Sequence, residues 1–420
     1  MANTSLSYLS ETLIGSEIVK LGGEIRERIS NGEKIYNFTV GDFDPAIFPI
    51  PKELEENIVE AYRKHFTNYP AADGNLDLRE AISRFAKERQ GLDYDPNEIL
   101  VSAGGRPLIY AVFRAVVNHG EKVIYAVPSW NNNHYTHFVG AEHVVVEARE
   151  ENNFMPTAED IRLHIQDAAL IALCSPQNPT GTTFRKEDLQ AICDLVLEEN
   201  ERRGDSKKLY LMYDQMYWQL TYDGIQHYDP VKLNPGMRPY TVYIDAISKV
   251  FAATGVRVGW SMGPAHLLAK MRSILSHVGA WAPMPEQKGV TQFLKQEEAI
   301  NKYLVHYKSE IEERLRRIYQ GIVALKDEGH DVNAVAPEAA IYLTLKFDLK
   351  GKKTREGETL QTQEDVTGFL LKEASLAVVP FYAFGAPKTS PWYRLSVGTC
   401  KKEEIDEMLS KLKAALQQLH

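Results

Sequence analysis

The stretch Glu98-Ile-Leu-Val-Ser-Ala-Gly-Gly-Arg-Pro107 joins a short apolar segment to a glycine pair and a proline. The segment Glu98–Ser102 predicts a strand, and Pro107 suits the first turn of a helix expected over Pro107–Asn118. Gly104 and Gly105 permit unusual backbone angles and the close approach of a ligand between the two elements. A strand that leads into a helix is typical of an α/β protein.

The alternation of strands and helices continues beyond this stretch. Helices are predicted at Thr157–Gln166 and from Lys186 to about Arg203. Further strands are predicted at Lys122–Val127, Glu142–Glu147, Leu170–Cys174, Leu209–Tyr213, Tyr240–Ile244 and Arg257–Ser261. Strands that alternate with helices predict an α/β fold with a mostly parallel sheet covered by helices.

The two ends of the chain predict a second, smaller α+β domain. A helix that ends at Asn31-Gly32 is followed by a predicted strand at Lys34–Val40. Apolar residues at helical spacing extend from about Gln287 to Gly329. Beyond them we expect strands at Ala340–Phe347, Leu376–Val379 and Tyr393–Val397, an exposed loop at Lys350–Asp365, and a final helix from Lys402. We therefore predict a large domain at about residues 50–290 and a small domain made of residues 1–49 and 291–420.

Composition excludes several classes of protein. The 420 residues are 44% apolar and 25% charged, which is ordinary for a globular protein. A net charge of −9 without basic runs argues against nucleic acid or an anionic membrane as a partner. The three cysteines are widely spaced and form no CxxC motif, so we predict no disulfide framework and no metal site. The longest apolar run, Ala168–Cys174, is too short to span a bilayer, and the N-terminal Met-Ala-Asn-Thr-Ser lacks the features of a secretory signal, so a cytoplasmic protein is expected.

Ligands of α/β sheets bind beyond the carboxyl ends of the strands, so the residues after each predicted strand are candidate site residues. Free N–H groups and the helix dipole after Gly104-Gly105 favour a phosphate, although an ordinary strand-to-helix turn is the alternative. Trp130 could stack on a flat ligand or fill the rim of the core. Asn178, in the rigid turn Ser175–Gly181, could contact a ligand or only form the turn.

Two charged residues follow later strands. Asp214 leaves an apolar strand, where a carboxylate needs a cationic or hydrogen-bonding partner or caps a helix. Lys249, with Arg257 eight residues on, is a candidate nucleophile or base, and a solvated lysine is the alternative. Together these features match pyridoxal 5'-phosphate, which requires an amine for its aldehyde and a carboxylate for its pyridine nitrogen. It also requires a donor for its phenolate oxygen and an anion site for its phosphate.

The sequence resembles the class I/II aminotransferases, the fold type I pyridoxal-phosphate enzymes of the aspartate aminotransferase superfamily. The motifs occur in the expected order over nearly the whole chain. They are Gly41-Asp-Phe, Asn68-Tyr-Pro, Gly104-Gly-Arg106, Ser129-Trp130, Asn178-Pro-Thr-Gly181, Asp214 with Tyr217, Ser248-Lys-Val-Phe-Ala-Ala-Thr-Gly-Val-Arg-Val-Gly-Trp260, and Arg394-Leu-Ser. The resemblance implies an enzyme that moves an amino group from an amino acid to a 2-oxo acid in two half-reactions.

The resemblance also implies a role for each matching residue around the cofactor ring. Lys249 would hold the cofactor covalently and carry a proton to and from the substrate Cα. Asp214 would pair with the ring nitrogen and keep it protonated. Asn178 and Tyr217 would hydrogen-bond to the phenolate oxygen, and Trp130 would stack on the ring.

The phosphate and the substrate would be held by a second group of matching residues. The backbone N–H groups of Gly105 and Arg106, together with Ser248 and Arg257, would hold the phosphate. Tyr69 would reach the phosphate of a neighbouring subunit, which implies a homodimer with shared sites. Arg394 would bind the substrate α-carboxylate in a bidentate manner, with Gly41 and Asn178 beside it.

Some positions depart from the family pattern. Ala246 stands where a phosphate-contacting serine is common, Gln215 stands where a glutamate is common, and Arg106 is bulky where a small residue is usual. Another pyridoxal-phosphate reaction on the same fold, such as that of a C–S β-lyase, a cyclopropane-carboxylate synthase or a β-decarboxylase, is the alternative function. A non-catalytic pyridoxal-phosphate regulator is a third hypothesis, which the acidic composition disfavours.

Overall fold

The computed structural model describes residues 5–13, 15 and 17–420. The prediction for the N-terminal Met-Ala-Asn-Thr-Ser therefore falls, apart from Ser5, outside the described residues. The strands are β1 Tyr36–Asn37, β2 Ile99–Ser102, β3 Lys122–Val127, β4 Glu142–Glu147, β5 Ala168–Cys174, β6 Tyr210–Asp214, β7 Thr241–Ala246, β8 Gly259–Met262, β9 Val332–Ala334, β10 Tyr342–Phe347, β11 Leu376–Ala377, β12 Val379–Pro380 and β13 Trp392–Ser396.

The α-helices lie between most of the strands along the chain. They are α1 Tyr8–Thr12, α2 Glu17–Ser30, α3 Lys52–Arg63, α4 Leu76–Gln90, α5 Gly105–Val116, α6 Asn132–Val139, α7 Ala158–Arg162, α8 Lys186–Arg202, α9 Pro230–Leu233, α10 Ile247–Val250, α11 Ala265–Val278, α12 Met284–Phe293, α13 Glu297–Asp327, α14 Gln363–Glu373 and α15 Ile405–Leu416. Within the described residues, none of these helices is long and apolar enough to cross a membrane.

A seven-stranded sheet has the order β2-β8-β7-β6-β5-β3-β4. The strands from β7 to β4 are parallel to their neighbours, and only β8 is antiparallel to β2 and β7. The connection from β7 to β8 is short, with the one-turn helix α10, so the chain returns beside β7 in the opposite direction. The mostly parallel α/β sheet predicted from the sequence is confirmed.

The central strand β5 shows why this sheet is stable. Leu170 and Ala172 face a cluster that contains α5 and α11, while Ile171 and Leu173 face a cluster that contains α8. Successive side chains of a strand point to opposite faces, so a strand covered on both faces is apolar throughout. Ala168 to Leu173 are accordingly all buried.

A second, antiparallel sheet has the order β12-β13-β10-β9, and β1 pairs in parallel with β11. This pairing sets Tyr36 beside Leu376, so residues from both ends of the chain are neighbours. The long helix α13 packs against β9 and β10 and against α15. Arg394 on β13 lies opposite Thr344 on β10, which places the predicted carboxylate-binding arginine inside this sheet.

Several elements differ from their predicted bounds. The strand predicted at Lys34–Val40 is paired only at Tyr36–Asn37, and the helical stretch from Gln287 to Gly329 is broken between α12 and α13. The predicted helix Thr157–Gln166 ends at Arg162, and the residues from there to β5 include Asp167 with a φ of +61°.

Candidate active site

A cavity of about 590 Å³ lies at the carboxyl ends of the parallel strands, between the seven-stranded and the four-stranded sheet. It brings together nearly all the residues predicted for the site. These are Gly41, Gly105, Arg106, Trp130, Asn178, Asp214, Tyr217, Ser248, Lys249, Arg257 and Arg394. Tyr69 is the exception: its side chain is 82% exposed and its ring lies against that of Trp281.

Lys249 is positioned by α10, the single helical turn that follows β7. Its Nζ donates a hydrogen bond of 2.6 Å to the carbonyl oxygen of Gly41. Burial lowers the pKa of Lys249 to about 8, against the opposing charge of Asp42. An amine with this pKa is available in its neutral, nucleophilic form near neutral pH.

Asp214 is the last residue of β6, and its carboxylate enters the cavity. The backbone N–H of Met216 donates to its Oδ1 at 3.1 Å. Burial raises the pKa of Asp214 to about 6. Among the described residues no cationic side chain lies within 4.0 Å of this carboxylate, so it remains free to bind a cation in the cavity.

Tyr217 and Asn178 each contact a residue of the four-stranded sheet. The hydroxyl of Tyr217 lies 2.6 Å from the hydroxyl of Tyr342 on β10. The Oδ1 of Asn178 accepts a 3.0 Å hydrogen bond from Nη1 of Arg394 on β13. Both contacts cross the cavity, so they connect the end of the parallel sheet to the antiparallel sheet.

An anion site is formed where α5 begins. Gly104 precedes the helix with a φ of +85°, a conformation that favours glycine. The guanidinium of Arg257 donates to the carbonyl oxygens of Ala103 at 2.9 Å and Thr254 at 2.7 Å, which holds it beside the helix N-terminus. A Cβ at Gly259 would lie 2.6 Å from the backbone of Gly104, so only glycine lets β8 approach this turn. Cationic Arg257 and the free N–H groups together favour a phosphate.

Arg394 is 1% exposed and has no carboxylate within 4.0 Å among the described residues. Its Nη2 donates to the carbonyl oxygen of Thr39 at 2.6 Å, and its Nε has no hydrogen-bond partner in the described part of the chain. The guanidinium lies 4.8 Å from the ring centres of both Tyr342 and Phe384. Burial lowers the pKa of Arg394, because its charge is desolvated without an anion beside it. A buried guanidinium that has no anion beside it is free to bind a carboxylate.

The remaining predicted residues lie at the rim and wall of the cavity. The guanidinium of Arg106 lies 5.4 Å from the ring centre of Trp130, and the indole is in turn 6.3 Å from the ring of Phe384. Ser248 is 6% exposed beside Lys249. Trp130 is only half-buried, so one part of its ring is open to a ligand in the cavity.

Comparison with known proteins agrees with this geometry. The family model for aminotransferase class I and II matches residues 33–412. The chain belongs to the class I and II aminotransferases. An aspartate aminotransferase of Rhizobium meliloti strain 1021 is 27% identical over 414 residues, which cover 96% of this aminotransferase and 94% of the relative. An aspartate aminotransferase of Geobacillus stearothermophilus is 26% identical, with 97% and 96% of the two chains covered.

Solved structures give the same result for the fold. The crystal structure of the aspartate aminotransferase from Rhizobium meliloti has a TM-score of 0.90 and 26% identity, with 99% of both chains covered. That of the Thermus thermophilus aspartate aminotransferase with maleate has a TM-score of 0.86 and 26% identity, with 98% and 99% covered. The predicted resemblance, the α/β fold class and the cofactor, pyridoxal 5'-phosphate, are confirmed. The protein is a pyridoxal-phosphate-dependent aminotransferase, which acts on amino acids and 2-oxo acids.

The groups in the cavity of the aminotransferase fit this cofactor. The amine of Lys249 matches its aldehyde, and the unpaired carboxylate of Asp214 matches a protonated ring nitrogen. The hydroxyl of Tyr217 and the amide of Asn178 are available near a ring oxygen, and the anion site beside Arg257 matches a phosphate. The fit rests on the chemistry of these groups and on their shared cavity.

Three lining residues of the aminotransferase were missed from the sequence. Asp42 accepts a 2.6 Å hydrogen bond from the hydroxyl of Thr254, Tyr342 bonds to Tyr217, and Arg26 of α2 lies at the rim. Asp42 had a signal, since it belongs to the motif Gly41-Asp-Phe. Tyr342 and Arg26 had none, because only the tertiary fold brings their elements to the strand ends.

Proposed function

We propose that the aminotransferase moves the amino group of an amino acid with a second carboxylate, such as aspartate, to a 2-oxo acid. The observation that carries this proposal is the distribution of positive charge. Arg394 lies deep in the cavity, while Arg26 and Arg106 lie exposed at its rim, and among the described residues none of the three has a carboxylate within 4.0 Å. Two separated cationic regions suit a ligand with two carboxylates. The similar enzymes named aspartate aminotransferase support the same substrate class.

We assign the residues around the cofactor as follows. Lys249 would form the covalent bond, Asp214 would pair with the ring nitrogen, Asn178 and Tyr217 would donate to the phenolate oxygen, and Trp130 would stack on the ring, since all five line the cavity. The backbone N–H groups of Gly105 and Arg106, with Ser248 and Arg257, hold the phosphate. When bound, pyridoxal 5'-phosphate supplies the aldehyde that accepts the amino group and the ring that withdraws electrons from the substrate Cα.

Substrate binding and proton transfer then depend on three side chains. Arg394 binds the α-carboxylate, and Asn178, which already accepts from Nη1 of Arg394, holds the guanidinium in place. Gly41 leaves room for the carboxylate, since a Cβ there would lie 3.4 Å from that Nη1. Lys249, with its pKa lowered to about 8, removes the proton from the substrate Cα as a base near neutral pH.

We also propose a homodimer and a division of the chain into two domains. Tyr69 does not line the cavity and is exposed, as are Tyr62, Leu76 and Val278. The exposure of Tyr69 supports a homodimer in which this tyrosine reaches the phosphate of the other subunit. Residues 50–290 would carry the cofactor, and residues 1–49 and 291–420 would close over the substrate. The three cysteines are free thiols, which supports a reducing compartment such as the cytoplasm.

A screen of amino donors with 2-oxoglutarate as acceptor tests the substrate class. We expect aspartate to give glutamate with a kcat/KM well above that of alanine. Arg106→Ala should lower kcat/KM for aspartate about fivefold and leave alanine nearly unchanged, because a rim-exposed charge pair contributes on the order of 1 kcal/mol. Arg185→Ala, which removes an arginine outside the cavity, is the matched control. Equal losses for both donors would exclude the proposed role of Arg106, and release of pyruvate with ammonia but no glutamate would favour a C–S β-lyase.

A further inference from the structure

The two tyrosines that meet across the cavity come from different sheets. Tyr217 follows β6 of the parallel sheet, and Tyr342 begins β10 of the antiparallel sheet. Their hydroxyl oxygens are 2.6 Å apart, and the side chains are 3% and 1% exposed. A Cβ at Gly41 would lie 2.9 Å from the hydroxyl of Tyr342, so glycine at this position keeps the space for that hydroxyl. The contact is therefore built by three separate segments of the chain.

Each phenol has one proton, so the direction of this hydrogen bond matters. If Tyr217 donates to Tyr342, its proton is no longer available to an acceptor in the cavity. If Tyr342 donates to Tyr217, the proton of Tyr217 is free to point into the cavity. Among the described residues the hydroxyl of Tyr342 has no hydrogen-bond partner other than Tyr217, so its proton has no competing acceptor there.

The position of Arg394 favours Tyr342 as the donor. The guanidinium lies 4.8 Å from the ring centre of Tyr342, where its positive charge favours the ionised form of that phenol. Burial raises the pKa of both phenols, but for Tyr342 the charge of Arg394 acts against this rise. The more acidic phenol is the better hydrogen-bond donor, which favours Tyr342 as the donor and Tyr217 as the acceptor.

We propose that Tyr342 is a positioning residue that aims the Tyr217 proton. Its hydroxyl donates to the oxygen of Tyr217 and thereby directs the O–H of Tyr217 toward the phenolate oxygen of the bound cofactor. This inference rests on the role proposed above for Tyr217. Because Tyr342 also lies under the guanidinium of Arg394, it connects the carboxylate-binding arginine to the ring oxygen of the cofactor. Successive hydrogen bonds strengthen one another, so the bond from Tyr342 makes Tyr217 a stronger donor.

The variant Tyr342→Phe keeps the ring and removes only the hydroxyl. The readout is a pH titration of the visible absorbance of the loaded enzyme, which reports the pKa of the cofactor-bound lysine nitrogen. A donor to the phenolate oxygen stabilises the deprotonated form and lowers this pKa, so both Tyr217→Phe and Tyr342→Phe should raise it. We expect a shift of about 0.5 unit for Tyr342→Phe and a larger one for Tyr217→Phe, since one neutral hydrogen bond contributes modestly.

The double variant gives the sharpest test. In a Tyr217→Phe background, Tyr342→Phe should cause no further shift, because its effect passes through Tyr217. The matched control is Tyr393→Phe, which removes a buried hydroxyl from the neighbouring strand β13, where it bonds to Gln363 outside the cavity. Tyr393→Phe should give the same absorbance titration as the wild-type enzyme.

The outcomes separate the inference from the proposal on which it rests. A shift in Tyr217→Phe with none in Tyr342→Phe would overturn the inference and leave the role of Tyr217 intact. No shift in either variant would overturn both. Additive shifts in the double variant would also overturn the inference, because they would show that Tyr342 acts independently of Tyr217.

A purely structural role for Tyr342 would give a different pattern. It would lower the melting temperature of the cofactor-free protein to a similar extent in Tyr342→Phe and Tyr393→Phe and would not move the absorbance titration. A positioning role predicts that kcat falls in Tyr342→Phe while the KM for the amino donor changes little, because the ring under Arg394 is retained.

Discussion

The cavity and the contact between α13 and the C-terminal segment bury the same kinds of charged side chain, but with opposite partners. In the second region, which we call the α13 cluster, Arg314 donates to Glu310 at 2.9 Å, and Lys402 contacts Glu310 at 3.1 Å and Glu313 at 2.8 Å. In the cavity, the hydrogen-bond partners of Arg394 and Lys249 within residues 5–13, 15 and 17–420 are amide and carbonyl oxygens.

The pKa values of Lys402 and Lys249 are shifted in opposite directions. The hydrogen bonds from Lys402 to Glu313 and Glu310 raise the pKa of that lysine. Burial lowers the pKa of Lys249 to about 8, against the charge of Asp42. Cations that are paired inside the protein stabilise the fold, whereas cations left without an anion remain available to ligands. Arg394 and Lys249 thus differ from Arg314 and Lys402 in having no carboxylate within 4.0 Å among the described residues.

The largest expected effect is that of Lys249→Ala. This variant should lose the visible absorbance of the lysine-bound cofactor and about 10⁴-fold or more in transamination rate, because both the nucleophile and the proton carrier are removed. Lys402→Ala should keep full activity and lose only ~1 kcal/mol of unfolding free energy, as is usual for a partly exposed pair. Absorption spectra and initial rates check both variants, and a retained absorbance band in Lys249→Ala would contradict the assignment.

The two arginines should differ in what their removal costs. Arg394→Ala should weaken the binding of all amino acids and 2-oxo acids alike by roughly 2–5 kcal/mol, through lost charge-assisted contacts. Arg314→Ala should leave KM unchanged and lower the free energy of unfolding by about 2 kcal/mol, because Glu310 loses its buried partner. Steady-state kinetics and denaturant unfolding measure the two effects. A loss confined to one substrate in Arg394→Ala would contradict its binding of the α-carboxylate.

A smaller effect is expected in the pH dependence of stability of the cofactor-free protein. Burial raises the pKa of Asp214 to about 6, above its unfolded value of about 3.9. Its contribution to stability is therefore fully present below about pH 4 and is lost as the pH rises through 6, with a total of up to about 3 kcal/mol. Asp214→Asn should gain stability relative to wild type over this range, as measured by denaturant unfolding.

The α13 cluster should show the opposite sign. Burial alone would raise the pKa of Glu310, but hydrogen bonds from Arg314 and Lys402 outweigh it and lower the pKa. The contribution of Glu310 is thus present at neutral pH and is lost as the pH falls through its lowered pKa. Glu310→Gln should lose stability at neutral pH and approach wild type in acid. If the difference in unfolding free energy from wild type changed with pH in the same direction for Asp214→Asn and Glu310→Gln, the distinction between the two regions would be refuted.

The sequence predicted the parallel sheet and the residues at its carboxyl ends because both follow from local pattern. Asp214 ends the apolar strand β6, while Lys249 and Asn178 come within four residues of the ends of β7 and β5, and the end of a parallel strand is a shared edge. Arg394 was located only through the resemblance to the family, since nothing in the pattern around β13 brings it to that edge.

Other features depend on long-range contacts that local pattern does not encode. The bond between Tyr217 and Tyr342 joins residues 125 positions apart, and the antiparallel direction of β8 is set by its pairing with β7 and β2. That Arg394 has no carboxylate within 4.0 Å among the described residues is a property of its surroundings in three dimensions. These long-range contacts bring the candidate residues together in one cavity.

The most direct test of the account is the first half-reaction alone. The loaded enzyme is mixed with excess aspartate and no 2-oxo acid, and both products and absorbance are followed. We expect about one equivalent of 2-oxo acid per subunit and loss of the lysine-bound absorbance, which returns when 2-oxoglutarate is added. Continuous release of pyruvate with ammonia or carbon dioxide, without any acceptor, would contradict it.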